Sequence, residues 1–165
     1  MIHAYDKVYL NSAQKIMGAM LHYAVYDCGV KIEVFYEAFL NSALSERFSK
    51  GDLYVIAGKS GVEIAIEVMG LGDDFAPASY YSNRSQEYWT GWALAYYQWY
   101  SGVDFSDIDS EVSIDDICLL YRKYHEMHLS NFEEVDNDKN DKLSGLLKYD
   151  LTELLKEGYI TTIQK

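Results

Sequence analysis

Residues 87–102 read EYWTGWALAYYQWYSG and contain all three tryptophans and four of the sixteen tyrosines of the chain. No charged residue occurs between Glu87 and Asp104. On a helix with about 100° per residue, the largest rings share one wide face: Trp89, Trp92, Tyr96, Trp99 and Tyr100. A helix that is apolar nearly all round is typical of the centre of a bundle. A platform for stacking bases would need Lys or Arg among the rings, and this segment has neither. The stretch therefore predicts a central core helix.

Two helices are predicted before this segment. The first runs from about Asp6 to Cys28, and Gly29 is its expected C-cap. Its apolar stripe consists of Ala13, Ile16, Met17, Met20 and Ala24, and its opposite, solvent-facing side of Asn11, Lys15, Gly18 and His22. The second helix directs Ile32, Phe35, Tyr36, Phe39, Leu40 and Ala43 inward and Glu33, Glu37 and Asn41 outward.

Capping patterns mark where three further helices begin. Ser60 with Glu63 predicts a short helix that ends at Gly70. Asn83 with Gln86 is expected to open the aromatic helix. Ser113 with Asp116 predicts a helix from Ile114 to about His128.

The fold class that follows is all-α, a compact multi-helix bundle around the central aromatic helix. Residues 1–132 form the bundle, 133–142 an acidic linker, and 143–165 a C-terminal amphipathic helix with a short tail. The apolar stripe of this last helix is Leu143, Leu147, Leu151 and Leu154. A chain of 165 residues with 49% apolar content is sufficient for one such domain.

Charge and segment lengths restrict the possible partners. The net charge is −12, which disfavours direct binding to nucleic acid or to an anionic membrane and favours a basic protein partner. The uncharged run of 16 residues from Tyr88 to Val103 is too short to span a bilayer. The N-terminus lacks the pattern of a signal peptide. We expect a cytoplasmic protein in which Cys28 and Cys118 are reduced thiols.

Two phosphate- or cation-binding patterns fail on inspection. AGKSG at 57–61 resembles part of a P-loop, but Leu53 stands where the first glycine of that motif is required. DNDKNDKLSGLL from Asp136 resembles a calcium loop, but Asp141 replaces the turn glycine and Leu147 the bidentate glutamate. Neither pattern predicts a site.

A histidine pair is the one candidate for metal binding. His125 and His128 are three residues apart and would share a helix face, where they could bind one zinc ion. Cys118 lies on the same face but about 10 Å away along the helix axis. Further ligands would have to come from Cys28, His22 or a carboxylate. With only two ligands in evidence, we expect no metal and no cofactor.

The segments RSQEYWTGWALAYYQWYSG, GKSGVEIA and SIDDICLLYRKYHEM resemble an uncharacterised family of Firmicutes proteins. The resemblance covers Val8 to Phe132. Members join this helical region to an Xre-type helix-turn-helix, and their genes lie near toxin–antitoxin-like genes. The chain has Tyr121-Arg122 where the family commonly has Tyr-Pro, and an acidic linker where the family has its DNA-binding domain. The resemblance therefore implies an all-helical fold but no binding of DNA.

The expected function is that of a binding protein, not an enzyme, because no nucleophile–base pattern occurs in the chain. Its carboxylates would occupy the nucleic-acid channel of a basic partner, such as a Cas effector nuclease or a toxin. The expected partner-binding residues are Asp104, Asp107, Asp109, Glu111, Asp115, Asp116, Glu133, Glu134, Asp136, Asp138 and Asp141. In concrete form this is an anti-CRISPR inhibitor. Alternatives are an antitoxin or immunity protein, a small zinc-binding domain or enzyme using the histidine pair, and a sensor domain with a ligand pocket against the aromatic helix.

Overall fold

A computed structural model of the chain describes residues 2–79 and 84–125, with side chains as far as residue 121. Within these residues the secondary structure is entirely helical, which confirms the predicted fold class. The eight α-helices are α1 (Leu10–His22), α2 (Ile32–Leu40), α3 (Ala43–Ser49), α4 (Leu53–Ile56), α5 (Gly61–Met69), α6 (Gln86–Ser101), α7 (Phe105–Glu111) and α8 (Ile114–His125). A 3-10 turn, Lys7–Tyr9, precedes α1, and a π-helical turn, Tyr23–Asp27, extends it. The predicted linker and C-terminal helix lie outside the described residues.

The aromatic helix α6 lies at the centre of the fold, packed along α1. Its three tryptophans are buried: Trp89 is 2% exposed, Trp92 5% and Trp99 4%. The contact is close because Gly91 faces the backbone of α1, where an added Cβ would lie 2.5 Å from the Met17 carbonyl oxygen. The prediction of a core helix is therefore confirmed.

The solvent-facing side predicted for α1 is correct only at its beginning. Asn11 and Lys15 are exposed, but Gly18 is buried against Tyr88 of α6. His22 is half-buried, and its Nδ1 lies 2.7 Å from Ser85 Oγ. The central helix covers the second half of this side because the glycine gives it room to approach.

The single helix predicted over residues 32–43 is in fact two helices. The helix is interrupted at Asn41 and Ser42. The Ser42 hydroxyl donates to the Phe39 carbonyl at 2.6 Å. This side-chain bond satisfies a carbonyl at the end of α2. Ala43, predicted to face inward, is exposed at the start of α3.

The predicted caps are correct in two of three cases. Ser60 and Glu63 form a capping box, and Gly70 ends α5 in the left-handed conformation. Ser113 Oγ accepts from the Asp116 N–H at the start of α8. The cap of α6 is Ser85, not Asn83: Ser85 Oγ accepts from the Tyr88 N–H, and Gln86 donates to the Cys118 carbonyl instead.

Helix α7 was not indicated by the sequence patterns. Its seven residues carry only two large apolar side chains, Phe105 and Ile108, and both are buried. Phe105 makes edge contacts with Phe39 and Phe48 and so anchors the acidic stretch to the core. None of the described helices has the length and apolar character that a bilayer crossing requires.

Candidate functional site: an acidic face on α2, α7 and α8

The acids that follow Gly102 lie on a short, well-anchored helix. Asp104 directly precedes α7, and Asp107 and Glu111 lie one turn apart on it. All three side chains are exposed. Because Phe105 and Ile108 hold the opposite side of α7 in the core, these carboxylates have a fixed position on the surface.

Asp109 differs from the other acids of α7 because it turns toward α2 and is half-buried. Burial raises the pKa of its carboxyl, and the charge of Glu37 on α2 adds to this effect. Beneath it, the hydroxyl of Tyr36 is buried, and burial together with the charge of Asp109 raises the pKa of that phenol. Asp109 is therefore less accessible to a partner than the sequence suggested.

The first turn of α8 contributes Asp115 and Asp116, both exposed. The carboxyl of Asp115 lies close to that of Glu33 on α2. Desolvation, the interaction with the Glu33 carboxyl and the charge of Asp116 raise the pKa of Asp115. The pKa of Glu33 is lowered instead, chiefly by a backbone hydrogen bond.

Two of the sequence-predicted acids thus lie beside acids of α2: Asp109 beside Glu37 and Asp115 beside Glu33. We use the name acidic face for the outward-facing acids of the three helices taken together: Glu33, Glu37, Asp107, Asp109, Glu111, Asp115 and Asp116. Glu33 and Glu37 were expected to point outward, but their meeting with α7 and α8 depends on tertiary packing. Glu133, Glu134, Asp136, Asp138 and Asp141 lie outside the described residues.

In the part of the chain that the structure describes, the negative charges of the acidic face are not neutralised by ion pairs. The ion pairs found in residues 2–79 and 84–121 are Arg47–Asp52, Lys50–Glu46 and Lys59–Glu67, all on α3–α5 or the segments joining them. None of them involves a member of the acidic face. Lys31 attracts Glu33 electrostatically without forming an ion pair. Adjacent like charges without counterions repel one another, so a cationic surface that approaches is favoured.

The described residues contain no group of three or more His, Cys, Asp and Glu side chains that could hold a metal ion. His125 is the last residue of α8, but its side chain and all of His128 lie outside the description. Of the additional ligands considered, His22 bonds to Ser85. Cys118 accepts from the Thr90 hydroxyl at 3.3 Å, and burial raises the pKa of its thiol to about 11.

The residues of the P-loop-like segment have structural roles. Lys59 pairs with Glu67 and lies over the ring of Tyr54, 4.7 Å from its centroid. Ser60 belongs to the capping box of α5. These contacts occupy the lysine and the hydroxyl that a phosphate site would need.

The C-terminal part of α6 contacts the N-terminal segment. Trp99 Nε1 donates to the Tyr5 carbonyl at 2.7 Å, and His3 stacks on Trp99 with ring centroids 4.0 Å apart. A cleft of about 380 Å³ lies elsewhere, between the α2–α3 turn and the start of α7. The ligand pocket against α6 that a sensor domain would have stays a prediction.

The chain matches no protein-family model, no curated protein and no solved structure.

Proposed function

We propose that this protein is a non-catalytic inhibitor whose acidic face binds a basic, nucleic-acid-handling protein in the cytoplasm. The observation that carries the proposal is the concentration of acids on the outer sides of α2, α7 and α8, with Asp109 beside Glu37 and Asp115 beside Glu33. None of the seven acids forms an ion pair within the described residues.

Charge density is the physical basis of this proposal. A groove that binds nucleic acid is lined by Lys and Arg, and carboxylates fixed on a helical surface can substitute for phosphates in such a groove. The position of Asp107 and Glu111 is fixed by the buried side of α7. Long-range attraction would steer the encounter, so that charge contributes more to the association rate than to the lifetime of the complex.

The concrete form that we propose is an anti-CRISPR protein that blocks loading of nucleic acid onto a Cas effector nuclease. Such a nuclease holds its heteroduplex in a positively charged channel and recognises its backbone, which a carboxylate surface can imitate. The resemblance to a family encoded near toxin–antitoxin-like genes supports a second form, in which the masked protein is a toxin.

A cleavage assay with purified, guide-loaded Cas nucleases tests the first form. The protein is added either before or after the target DNA, and the rate of DNA cleavage is measured. We expect inhibition when it is added first and little inhibition once DNA occupies the channel. Inhibition that is independent of the order of addition would rule out competition for the channel.

Two double variants, each of which removes two negative charges, locate the binding surface. Asp107→Asn with Glu111→Gln removes two charges from the acidic face, whereas Asp73→Asn with Asp74→Asn removes two from the exposed loop after α5. The first pair should weaken inhibition and the second should leave it unchanged. Equal loss in both pairs would mean that net charge, and not the acidic face, accounts for the inhibition. If no Cas nuclease is inhibited, the anti-CRISPR form is rejected, and co-expression with toxins encoded near related genes tests the second.

A further inference from the structure

The cleft of about 380 Å³ has a polar lining and an anionic rim. Glu46 of α3 and Asp104, which precedes α7, line it together with Asn41, Ser45, Ser49 and Ser106. Its volume falls in the range of small-ligand pockets, about 300–1,000 Å³. Because Asp104 directly precedes α7, the cleft lies beside the acidic face.

Hydrogen bonds fix the floor of the cleft. The Ser45 hydroxyl bonds to the carbonyls of Leu40 and Ser42, both at 3.2 Å. The Ser49 hydroxyl oxygen accepts from the Phe105 N–H at 3.3 Å, so the first N–H of α7 is already occupied. The N–H groups of Asp107 and Ile108 bond to the Asp104 carbonyl. The charged side chains that line the cleft, Glu46 and Asp104, are both acidic, so they favour a cationic ligand.

Lys50 of this chain already interacts with the two carboxylates of the rim. The Lys50 ammonium pairs with Glu46 and is attracted by Asp104, and the hydrogen bond to Glu46 is the main cause of its raised pKa. Both side chains of the pair are highly exposed, at 67% for Lys50 and 64% for Glu46. An exposed lysine pair of this kind contributes little stability and can be displaced at little cost.

We propose that the cleft receives an arginine side chain of the basic partner, which displaces Lys50 from Glu46. The inference rests on the proposed function and adds a specific contact at the edge of the acidic face. A guanidinium suits the cleft better than an ammonium because its planar array of five donors can bond two carboxylates and neighbouring hydroxyls at once. Glu46 and Asp104 supply the carboxylates, and Asn41 and Ser106 supply further acceptors.

The test uses methylguanidinium as the probe, with N-methylurea as its uncharged analogue. Amide NMR spectra of the full chain are recorded while either compound is added. Methylguanidinium should shift the amide signals of Ser45, Ser49 and Ser106 in a saturable manner, and N-methylurea should not. Oligoarginine, followed by fluorescence anisotropy, serves as the peptide probe.

Three single variants test the proposal. Two of them should weaken the binding of methylguanidinium, and the third should strengthen it. Glu46→Gln and Asp104→Asn should each weaken methylguanidinium binding by about threefold or more, because each removes one carboxylate of the rim. Lys50→Gln should strengthen binding by a similar factor because it removes the competing cation. All three side chains are exposed, so the folds should be intact, and the dispersion of the same spectra verifies this. Asp104→Ser replaces Asp104→Asn if that variant does not fold.

Binding that Lys50→Gln leaves unchanged or weakens would overturn the proposal, as would equal shifts from N-methylurea. Failure here is distinguishable from failure of the proposed function. If methylguanidinium does not bind in the cleft, but Asp107→Asn with Glu111→Gln still abolishes nuclease inhibition, only the arginine contact is wrong. If the cleft binds methylguanidinium and no nuclease or toxin is inhibited, the arginine site stands and the proposed function is wrong.

Discussion

Among single residues, Trp92 offers a large change in packing for one substitution, because its indole is only 5% exposed and belongs to the hydrophobic core cluster. Trp92→Ala should lower the free energy of unfolding by about 3–5 kcal/mol, the usual cost of deleting a large buried ring. Urea denaturation followed by circular dichroism measures this change. Phe75→Ala is the control, since this ring is 47% exposed and its removal should cost less than about 1 kcal/mol. Equal losses in the two variants would contradict a core position for Trp92.

His22 should make the stability depend on pH. Burial lowers the pKa of its ring below the ordinary value of about 6.5, although Asp27 and Glu87 act in the opposite direction. The unfolded chain therefore binds the proton more readily. The contribution of His22 is complete above about pH 6.5 and is lost as the pH falls through the lowered pKa of the folded state.

Urea midpoints of the wild type and of His22→Asn should consequently converge as the pH is lowered from about 7.5 to about 5.5. Asparagine retains a polar atom that can reach Ser85, which keeps the cap of α6 in place. Parallel pH profiles would show that His22 does not titrate differently in the folded and unfolded states.

The carboxyl groups of Asp109 and Asp115 change the stability at lower pH than His22 does, and in the opposite direction. Their pKa values are raised, so their contribution to stability is lost as the pH rises through those values.

At the scale of helices, the close crossing of α1 and α6 depends on Gly91. An added Cβ would lie 2.5 Å from the carbonyl oxygen and 2.7 Å from the carbonyl carbon of Met17, and backbone atoms cannot rotate away. Gly91→Ala should therefore destabilise the fold by about 1–3 kcal/mol through overpacking, even though alanine favours a helix. Thermal unfolding measures this. Gly72→Ala is the comparison for backbone strain without overpacking: no atom lies within 4 Å of its added Cβ, and its positive φ of 58° alone makes alanine unfavourable, by about 1–2 kcal/mol. A Gly91→Ala variant as stable as the wild type would mean that the helices lie farther apart.

The helices that the sequence predicted well are those whose characteristic residues lie close together in the chain. The rings of 87–102 and the Ser60–Glu63 box each specify their structure within a few residues. The break at Asn41–Ser42 has no proline or glycine to mark it, and α7 shows only two apolar side chains. The contact between Glu33 and Asp115 joins residues distant in sequence, so the two acids that α2 adds to the acidic face could not be assigned to it from local patterns.

For the whole molecule, the separation of charge from core is the property on which the proposed function depends. The aromatic residues of α6 supply the interior, which leaves α2, α7 and α8 to carry acids on their outer sides. The ion pairs of the described residues lie on the α3–α5 part of the surface, and none of them neutralises a member of the acidic face. A basic partner is expected to approach this side first.

The measurement that tests this claim most directly is the association rate of labelled oligoarginine with three proteins over a range of salt concentrations. They are the wild type, Asp107→Asn with Glu111→Gln, and Asp73→Asn with Asp74→Asn. The wild-type rate should fall steeply with salt, because exposed charges are screened over about 8–10 Å near physiological ionic strength. At low salt the α7 pair should associate about three- to tenfold more slowly than the wild type, whereas the loop pair should match the wild type. Equal rates for the two charge-matched variants would contradict a binding role for the acidic face.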